Sequence, residues 1–567
     1  MGGRRWRVRQ SPASLPQDLV ERAGNCGHLG ALLLHHRAIR DGQSAARFLK
    51  PELAHLTDPL ALPDMYHAVE RVATALDRRE RIGVLGDFDV DGLTGAAILV
   101  QALRDLGGNV SVHIPDRAAD GHGLTTGAVD AFHDDGVGLI VTADTGSTAA
   151  KEITYARWRG IDTVVTDHHL SDSLPADALA VVNPHRAGAL PESSVLSGAG
   201  VAFRLAQAIS EKSGRAPASH LVSLAALGVI ADVAPLTGDN RIIAAEGLRE
   251  LQHTSHPGLR ALLDQARAGN RGARAPIDTE AIAFHIGPRL NAPGRLGSPL
   301  LSLQLLTSSN DAEAKRLAEE IENLNGERQR LSREAWALAE AQLAKLPALP
   351  PVLTIVSPDL MPGILGPLAG RLCGEYERPA IAVQIENGNA RASARSIPGF
   401  DIHDAIARQS ARLTRYGGHA RAAGFSCAAP DLEGVLADIA SIASSCGPVT
   451  APPFITADVE VGLAELGASA WDFVQMLAPC GEGNPSPLFF TRGMLPMQIK
   501  TLGATGDHLR LVLDGGARKY DAIGFGLGGA DLGSSLVDAI YALRTDHWNG
   551  RVRHELELKA IRPAAQA

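Results

Sequence analysis

The hydrophobic pattern between residues 82 and 170 alternates between two rhythms. Ile82 to Gly86 (IGVLG) is a short continuous apolar run, which predicts a buried strand. Thr94 to Leu106 then carries apolar residues at helical spacing, and Gly107-Gly108 stops it. Val110 to Ile114, Gly138 to Thr142 (GLIVT) and Thr163 to Thr166 (TVVT) predict three further strands. Strands that are apolar throughout and separated by helices imply a mostly parallel sheet covered on both faces. Leu221 to Ala231 (LVSLAALGVIA) is apolar on most sides and predicts a buried helix.

From Asn310 to Leu346 the spacing is helical again, with Leu317, Ile321, Leu324 and Leu331 on one face and dense charge on the other. Asn310 suits an N-cap, and Asp311 and Glu313 fall where acids favour the helix dipole. Gly326 inside this stretch costs roughly 1 kcal/mol. The pattern predicts a long, partly exposed connecting helix. LPALPP, ending at Pro351, breaks the chain before an α/β-like section that runs to about residue 446. GPVTAPP, ending at Pro453, precedes short β-prone runs, among them Met497 to Thr501 and Leu509 to Leu513. Those runs, with Gly and Asp turns between them, predict a small β-barrel.

At 567 residues the chain exceeds a single core. The two breaks set off a smaller α/β section at 351–450 and the barrel at 451–567. The basic start, MGGRRWRVRQSP, lacks the apolar stretch of a secretory signal, and no run of about 18 apolar residues predicts a membrane span. The five cysteines are far apart without a C-x-x-C pair, which suits reduced thiols and a cytoplasmic protein. A net charge of -9 is weak evidence against nucleic acid, because a carboxylate-rich site lowers the total while a local basic track still binds phosphate. Arg289, Arg295, Arg391, Arg395, Arg412, Arg415 and Arg421 are candidates for that track.

The candidate chemistry sits at the downstream ends of apolar elements. IGVLG runs into Asp87-Phe88-Asp89-Val90-Asp91-Gly92, and GLIVT into Asp144-Thr145-Gly146. TVVT runs into Asp167-His168-His169, and the helix LAALGVIA into Asp232. In an open parallel sheet the ligand crevice lies outside the carboxyl ends of the strands, so these segments deliver their side chains to one rim. Six aspartates there would raise one another's pKa values unless cations were present. Two divalent ions about 3.5–4 Å apart remove that penalty and can share a carboxylate. Asp144, alone at its strand end, is the natural bridge. On an extended strand Asp87, Asp89 and Asp91 point the same way, until Gly92 turns the chain. Oxygen ligands with one or two imidazoles favour manganese or magnesium over structural zinc. A calcium loop counted from Asp87 needs an acid at its twelfth position, which is Ile98. The carboxylates alone therefore indicate a two-metal hydrolase.

In this order the motifs resemble the DHH phosphoesterase superfamily, and within it the single-strand-specific exonucleases, over about residues 40 to 565. GDFDVDGLTGAAIL, TADTG, TDHH and GVIADVAPL are similar to its four motifs. GPRLNAPGR (Gly287 to Arg295) resembles a connector motif, and GGHARAAGF (Gly417 to Phe425) the signature of the DHH-associated domain. APCGEGNPSPLF (Ala478 to Phe489) resembles the segment that precedes an oligonucleotide-binding barrel. The resemblance implies a parallel-sheet DHH domain and a smaller α/β DHH-associated domain joined by a long helix, plus a C-terminal OB-type barrel. It further implies an N-terminal segment at 1–45, a catalytic α/β domain at 46–235 and a connector with the long helix at 236–350.

Roles follow from the same resemblance. Asp89, Asp91, Asp144, His168 and Asp232, with Asp87 beside them, hold two Mn2+ or Mg2+ ions. Asp167 orients His168, and His169 touches the scissile phosphate. Arg117, Arg289, Arg295, Ser393 and Arg395 hold the 5′ phosphate or nearby backbone, and Gly418 and His419 belong to a substrate loop. The chain departs from the family at His122, where a Tyr is usual, and at Cys480, where a Phe is common. The implied activity is 5′→3′ hydrolysis of single-stranded DNA to mononucleotides in recombination and repair. The protein would act as a monomer away from membranes, with single-strand-binding protein and a RecQ-type helicase as partners. Two other readings compete. A small-substrate DHH phosphodiesterase, for nano-RNA or cyclic dinucleotides, usually lacks the barrel and the GPRLNA connector. A non-catalytic single-strand-binding scaffold would have lost ligands, whereas every ligand position here is Asp or His.

Overall fold

The computed structural model describes residues 5–116, 123–216, 218–268, 276–446, 454–503, 505–532, 536–548 and 551–564. Its first sheet has five parallel strands: β1 (Arg81–Gly86), β2 (Asn109–His113), β3 (Val137–Ala143), β4 (Asp162–Thr166) and β5 (Ala180–Val182), in the order β2-β1-β3-β4-β5. The continuous apolar runs are buried because helices cover both faces. Leu93, Leu99 and Phe203, from α1 (Val90–Asp105) and α2 (Gly198–Lys212), pack in the core on one side, and Val129 and Phe132 in that on the other. The strand order turns back between β1 and β3, which opens a crevice at their carboxyl ends. Only β5 has no counterpart in the sequence reading; three residues are too few for a periodicity to register.

Helix α1 starts at Val90, not Thr94, because Asp89 caps it by accepting the Gly92 amide at 3.1 Å. Asp87, Asp89 and Asp91 are therefore not spaced along an extended strand. They occupy a strand end, a helix cap and a first helical turn, which fans them in different directions. Helix α3 (Val222–Ala231) is buried almost all round, as its composition predicts. The connector helices, including α4 (Gly287–Leu296), join the same core through Ile243, Leu259, Leu290 and Leu305, so packing runs unbroken across residues 235 and 236.

Helix α5 (Asp311–Leu343) has 33 residues and spans about 50 Å at 1.5 Å per residue. Asn310 caps it, accepting the amides of Ala312 and Glu313 at 2.9 and 3.0 Å. Leu317, Ala318 and Ile321 are in the first core, whereas Ala335, Ala339 and Leu343 pack with the second α/β unit. That unit consists of β6 (Leu353–Val356), α6 (Pro362–Tyr376), β7 (Ala380–Glu386), β8 (Asn389–Arg395), β9 (Leu413–His419), β10 (Ala422–Ala428) and the helix Leu432–Ser445, with the helix Ile402–Ala407 between β8 and β9. Its sheet order is β9-β10-β8-β7-β6, mixed in direction, with β9 on an exposed edge.

The C-terminal strands are β11 (Phe489–Leu502), β12 (His508–Asp514), β13 (Lys519–Gly524), β14 (Val537–Trp548) and β15 (Arg551–Pro563). They close into a five-stranded barrel, β11-β12-β13-β15-β14 and back to β11. Closure leaves few unpaired backbone edges. The N-terminal segment belongs to this end of the molecule. Strand Trp6–Val8 pairs in parallel with Ile455–Ala457, and Leu19, Leu33 and Leu34 share a core with Phe473, Phe489 and Tyr541. Helix Gly42–Leu49 crosses the division expected at residues 45 and 46. All five cysteines are free, and no helix among the described residues is long and apolar enough to cross a membrane.

Candidate metal centre

The four acidic segments converge at the mouth of the crevice between β1 and β3. Potential donor atoms fall into groups that each lie within 4.8 Å: Asp87, Asp89 and Asp144; Asp91, His168 and Asp232; and Asp144, His168 and His169. The first two groups share no residue, and the third joins them through Asp144 and His168. His168 Nε2 lies 3.1 Å from Asp144 Oδ1 and 3.9 Å from both Asp91 Oδ2 and Asp232 Oδ2.

The backbone is built to hold these side chains close. Asp144 has a left-handed φ of 62°, which turns its carboxylate back across the strand ends, and its amide is fixed by Thr166 O at 2.9 Å. Asp91 meets the start of α2, accepting from Ser197 Oγ at 2.9 Å and from the Gly198 and Ala199 amides at 2.7 and 3.0 Å. A carboxylate there satisfies orphan amides and suits the positive end of the helix. Gly198 leaves no room for a side chain, since a Cβ would sit 2.4 Å from Asp144 Cβ. Gly228 is equally constrained, because a Cβ there would sit 2.5 Å from Asp91 Oδ1 and from Thr94 Oγ1.

Without cations this arrangement is electrostatically unfavourable, and the pKa shifts record it. Burial, and then Asp87 and Asp91, push Asp89 up to about 6. Burial, and then Asp91 and Asp89, push Asp232 up to about 8. Asp144 is raised well above the carboxylate range by burial and by Asp91, Asp89 and Asp87. Its Oδ1 is buried and accepts no hydrogen bond. Burial also holds His168 below the usual imidazole range, so the ring is neutral and can offer a lone pair. Hard oxygens, a neutral imidazole and a buried acceptor without a donor are what a divalent ion needs, and the residues fit Mn2+ or Mg2+.

Asp167 differs from its neighbours. Burial would raise it, but hydrogen bonds from the His169 ring and from backbone amides prevail and lower it. Its Oδ1 accepts from His169 Nδ1 at 2.7 Å, and its Oδ2 from the Ser147 amide at 2.8 Å. The ring that Asp167 orients is thus that of His169, not His168, which gives it only a main-chain amide at 2.8 Å. The hydrogen bond to Asp167 raises His169 to about 9, so that ring is cationic at neutral pH. Sequence reasoning missed Asn183, which follows β5 and donates to Ser147 Oγ and His169 O, both at 2.9 Å. It also missed Ser197, Gly198 and Gly228. A Ser before Gly-Ala-Gly and an apolar helical run carried an N-cap signal for Ser197; the other contacts are tertiary.

The expected phosphate-binding residues divide. Arg289 is buried and paired with Glu322 of α5, at 2.6 and 3.1 Å, while its Nη1 donates to His285 O at 2.7 Å. Its guanidinium ties α4 to α5 through the Glu322 carboxylate. Arg295, Ser393 and Arg395 gather at the start of α6. Arg295 donates to Gly363 O at 3.1 Å, and a Cβ on Gly366 would lie 3.4 Å from Arg395 Nη2 and 3.5 Å from Ser393 Oγ. Gly418 and His419 end the exposed strand β9; Gly418 has φ 132°, and a Cβ there would strike Ala422 O at 2.4 Å. Arg117 and His122 lie outside the described residues.

The chain matches the DHH family, N-terminal domain, over residues 81–229, the DHHA1 domain over 350–445 and the RecJ OB domain over 457–560. It is 34% identical to the single-stranded-DNA-specific exonuclease RecJ of Thermus thermophilus, over 98% of this chain and 78% of that protein. It is 31% identical to the RecJ of Bacillus subtilis, over 98% of this chain and 70% of that protein. The crystal structure of Thermus thermophilus RecJ in complex with Mn2+ superposes with a TM-score of 0.84 at 30% identity, covering 99% of this chain and 80% of that one. The Mg2+ complex of the same protein gives 0.79, covering 99% and 79%.

Proposed function

The chain belongs to the RecJ family of single-stranded-DNA-specific exonucleases, and we propose that it removes mononucleotides in the 5′→3′ direction by two-metal hydrolysis. Its ions are Mn2+ or Mg2+. The observation that carries the two-metal reading is the pair of separate donor groups joined through Asp144. Asp87 and Asp89 would serve one ion, Asp91, His168 and Asp232 the other, and Asp144 both. Bound ions supply Lewis acidity toward the phosphate and acidify water.

The rest of the work falls to side chains. His169, held cationic by Asp167 through Nδ1, has Nε2 left to meet a phosphate oxygen and oppose the charge that builds there. Asp91, seated on the amides of α2, keeps its carboxylate in one orientation while its charge faces the cluster. Arg295, Ser393 and Arg395, beside the positive end of α6, are suited to a terminal 5′ phosphate, which would set the direction of travel. The barrel would hold the strand behind the cleavage point, through stacking and basic side chains rather than base readout. Such a protein serves DNA recombination and repair, where single-strand-binding protein and a RecQ-type helicase would present its substrate.

The test is a 40-nucleotide strand labelled at either end, digested with Mn2+. A 5′ label is expected to appear at once as mononucleotide, and a 3′ label as a descending ladder. Asp144→Ala should lower the rate by roughly 10³-fold or more, as expected when two-metal stabilisation is lost. Intact activity in that variant would refute the assignment of the bridge.

A further inference from the structure

The segment APCGEGNP, which precedes the barrel, has no part in the chemistry above, yet many hydrogen bonds tie it down. Arg241, in the helix Gly238–Leu251 of the metal-binding unit, is 2% exposed and reaches across to it. Its Nη1 donates to Leu477 O and Pro479 O at 3.0 and 3.1 Å, and its Nη2 to Met476 O and Ala478 O at 3.3 and 2.9 Å. Its Nε donates to Phe48 O at 3.0 Å, and the guanidinium lies 3.7 Å from the centre of the Phe48 ring. A guanidinium has five N–H donors, and all five are taken by main-chain carbonyls. Several of those carbonyls close the helix Ala468–Met476, whose C-terminal end is negative and favours a cation.

The clamp has other points. Asn484 Nδ2 donates to Leu477 O and Pro479 O at 2.9 and 2.8 Å, and Arg37 Nε holds Asn484 Oδ1 at 2.8 Å. Thr279 Oγ1 donates to Cys480 O at 2.8 Å. The Leu236 amide, four residues after Asp232, donates to Glu482 O at 2.7 Å. A Cβ on Gly481 would lie 2.8 Å from Leu236 Cδ1, so the segment packs directly against the Leu236 side chain. The barrel is thus fixed to the chain that leaves a metal ligand. Two domains joined only by a flexible linker would reorient freely.

We propose that Arg241 is a positioning residue that holds the barrel at a fixed orientation to the metal centre, so that a strand gripped by the barrel is aligned with the cleavage point. This rests on the reading of the barrel as the strand-holding module. A long strand engages both units, and its apparent affinity includes the effective concentration that a rigid junction supplies. A 5′-phosphorylated trinucleotide is too short to use that junction. Loss of the clamp should therefore raise KM for the long strand and leave the short one alone.

The experiment compares kcat and KM for a 40-mer and a trinucleotide, with Mn2+, in the full-length protein and in Arg241→Met and Arg241→Lys. Wild type is expected to favour the 40-mer strongly. Arg241→Met should raise KM for the 40-mer at least tenfold with kcat held within twofold, and change the trinucleotide parameters less than twofold. Arg241→Lys, which keeps the charge and some of the donors, should fall between. Equal losses on both substrates would mean general destabilisation, and unchanged length preference would mean the junction is irrelevant; either overturns the proposal. Should Arg241→Met not fold, Arg37→Lys on the opposite side of the segment gives the same comparison. A wild type without strand hydrolysis would instead overturn the underlying reading of function.

Discussion

At the scale of single residues, the ligands were legible and their supports were not. An Asp or His at the end of an apolar run can be read from order alone, because a parallel sheet sends every strand's carboxyl end to one rim. Asp87, Asp144, Asp167 and His168 were found that way. Gly198 could not be, since its importance lies in a contact with Asp144 across more than 50 positions of sequence. Gly198→Ala is expected to lower Mn2+ affinity and to destabilise the fold by about 1–3 kcal/mol, the range for overpacking; metal titration and thermal unfolding would measure both. Asp167 likewise could be placed from sequence, but not the ring it holds. Because its hydrogen bond raises His169 to about 9, the cationic form is lost only as pH rises through that value. In Asp167→Asn the ring should return toward its ordinary value of about 6.5. The alkaline limb of kcat/KM should move to lower pH accordingly, and a profile that stays in place would show that His169 does not act as a cation.

Elements were most legible where their period was long and undisturbed. Helix α5 was expected from Asn310 onward and begins there, because the N-cap and the first-turn acids are local devices that need no tertiary partner. The start of α1 was read four residues late, because a run of alternating aspartates looks like a strand until one of them caps a helix. The barrel hairpin of β14 and β15 is harder still, as β15 alternates charged with aliphatic residues that find their register only against neighbours. Gly326 offers a direct test in α5. A Cβ there would meet nothing within 4 Å. Gly326→Ala should stabilise the helix by roughly 0.5–1 kcal/mol, through the entropy that glycine loses on becoming helical. Slower amide exchange across the middle of α5 would register the gain, and faster exchange would contradict it.

For the whole molecule, the metal centre is also a stability device. Asp89, Asp232 and Asp144 bind protons more tightly when folded than a free carboxyl does, with values of about 6 and about 8 for the first two. In the metal-free protein the native state therefore holds more protons than the unfolded chain above pH 4 or so. The stability these three groups contribute is complete below that pH and falls as pH rises toward 8. The apoprotein should melt several degrees lower at pH 8 than at pH 5, and Mn2+ should raise the melting temperature more at pH 8, where it displaces fewer protons. An apoprotein more stable at pH 8 would contradict the charge repulsion inferred for the site.

The pairing of Trp6–Val8 with Ile455–Ala457 has a consequence for how the molecule is made. Synthesis proceeds from the N-terminus at about 5–20 residues per second, so roughly 20–90 seconds separate the appearance of these two strands. Throughout that interval Leu19, Leu33 and Leu34, which finish in the core beside Phe473 and Phe489, have none of those partners to bury them. The segment that carries Trp6–Val8 and these leucines thus leaves the ribosome long before its packing is completed. A nascent chain halted before residue 454 should be captured by chaperones through the segment from Trp6 to Leu49, whereas the parallel-sheet unit downstream already has all the chain it needs to fold.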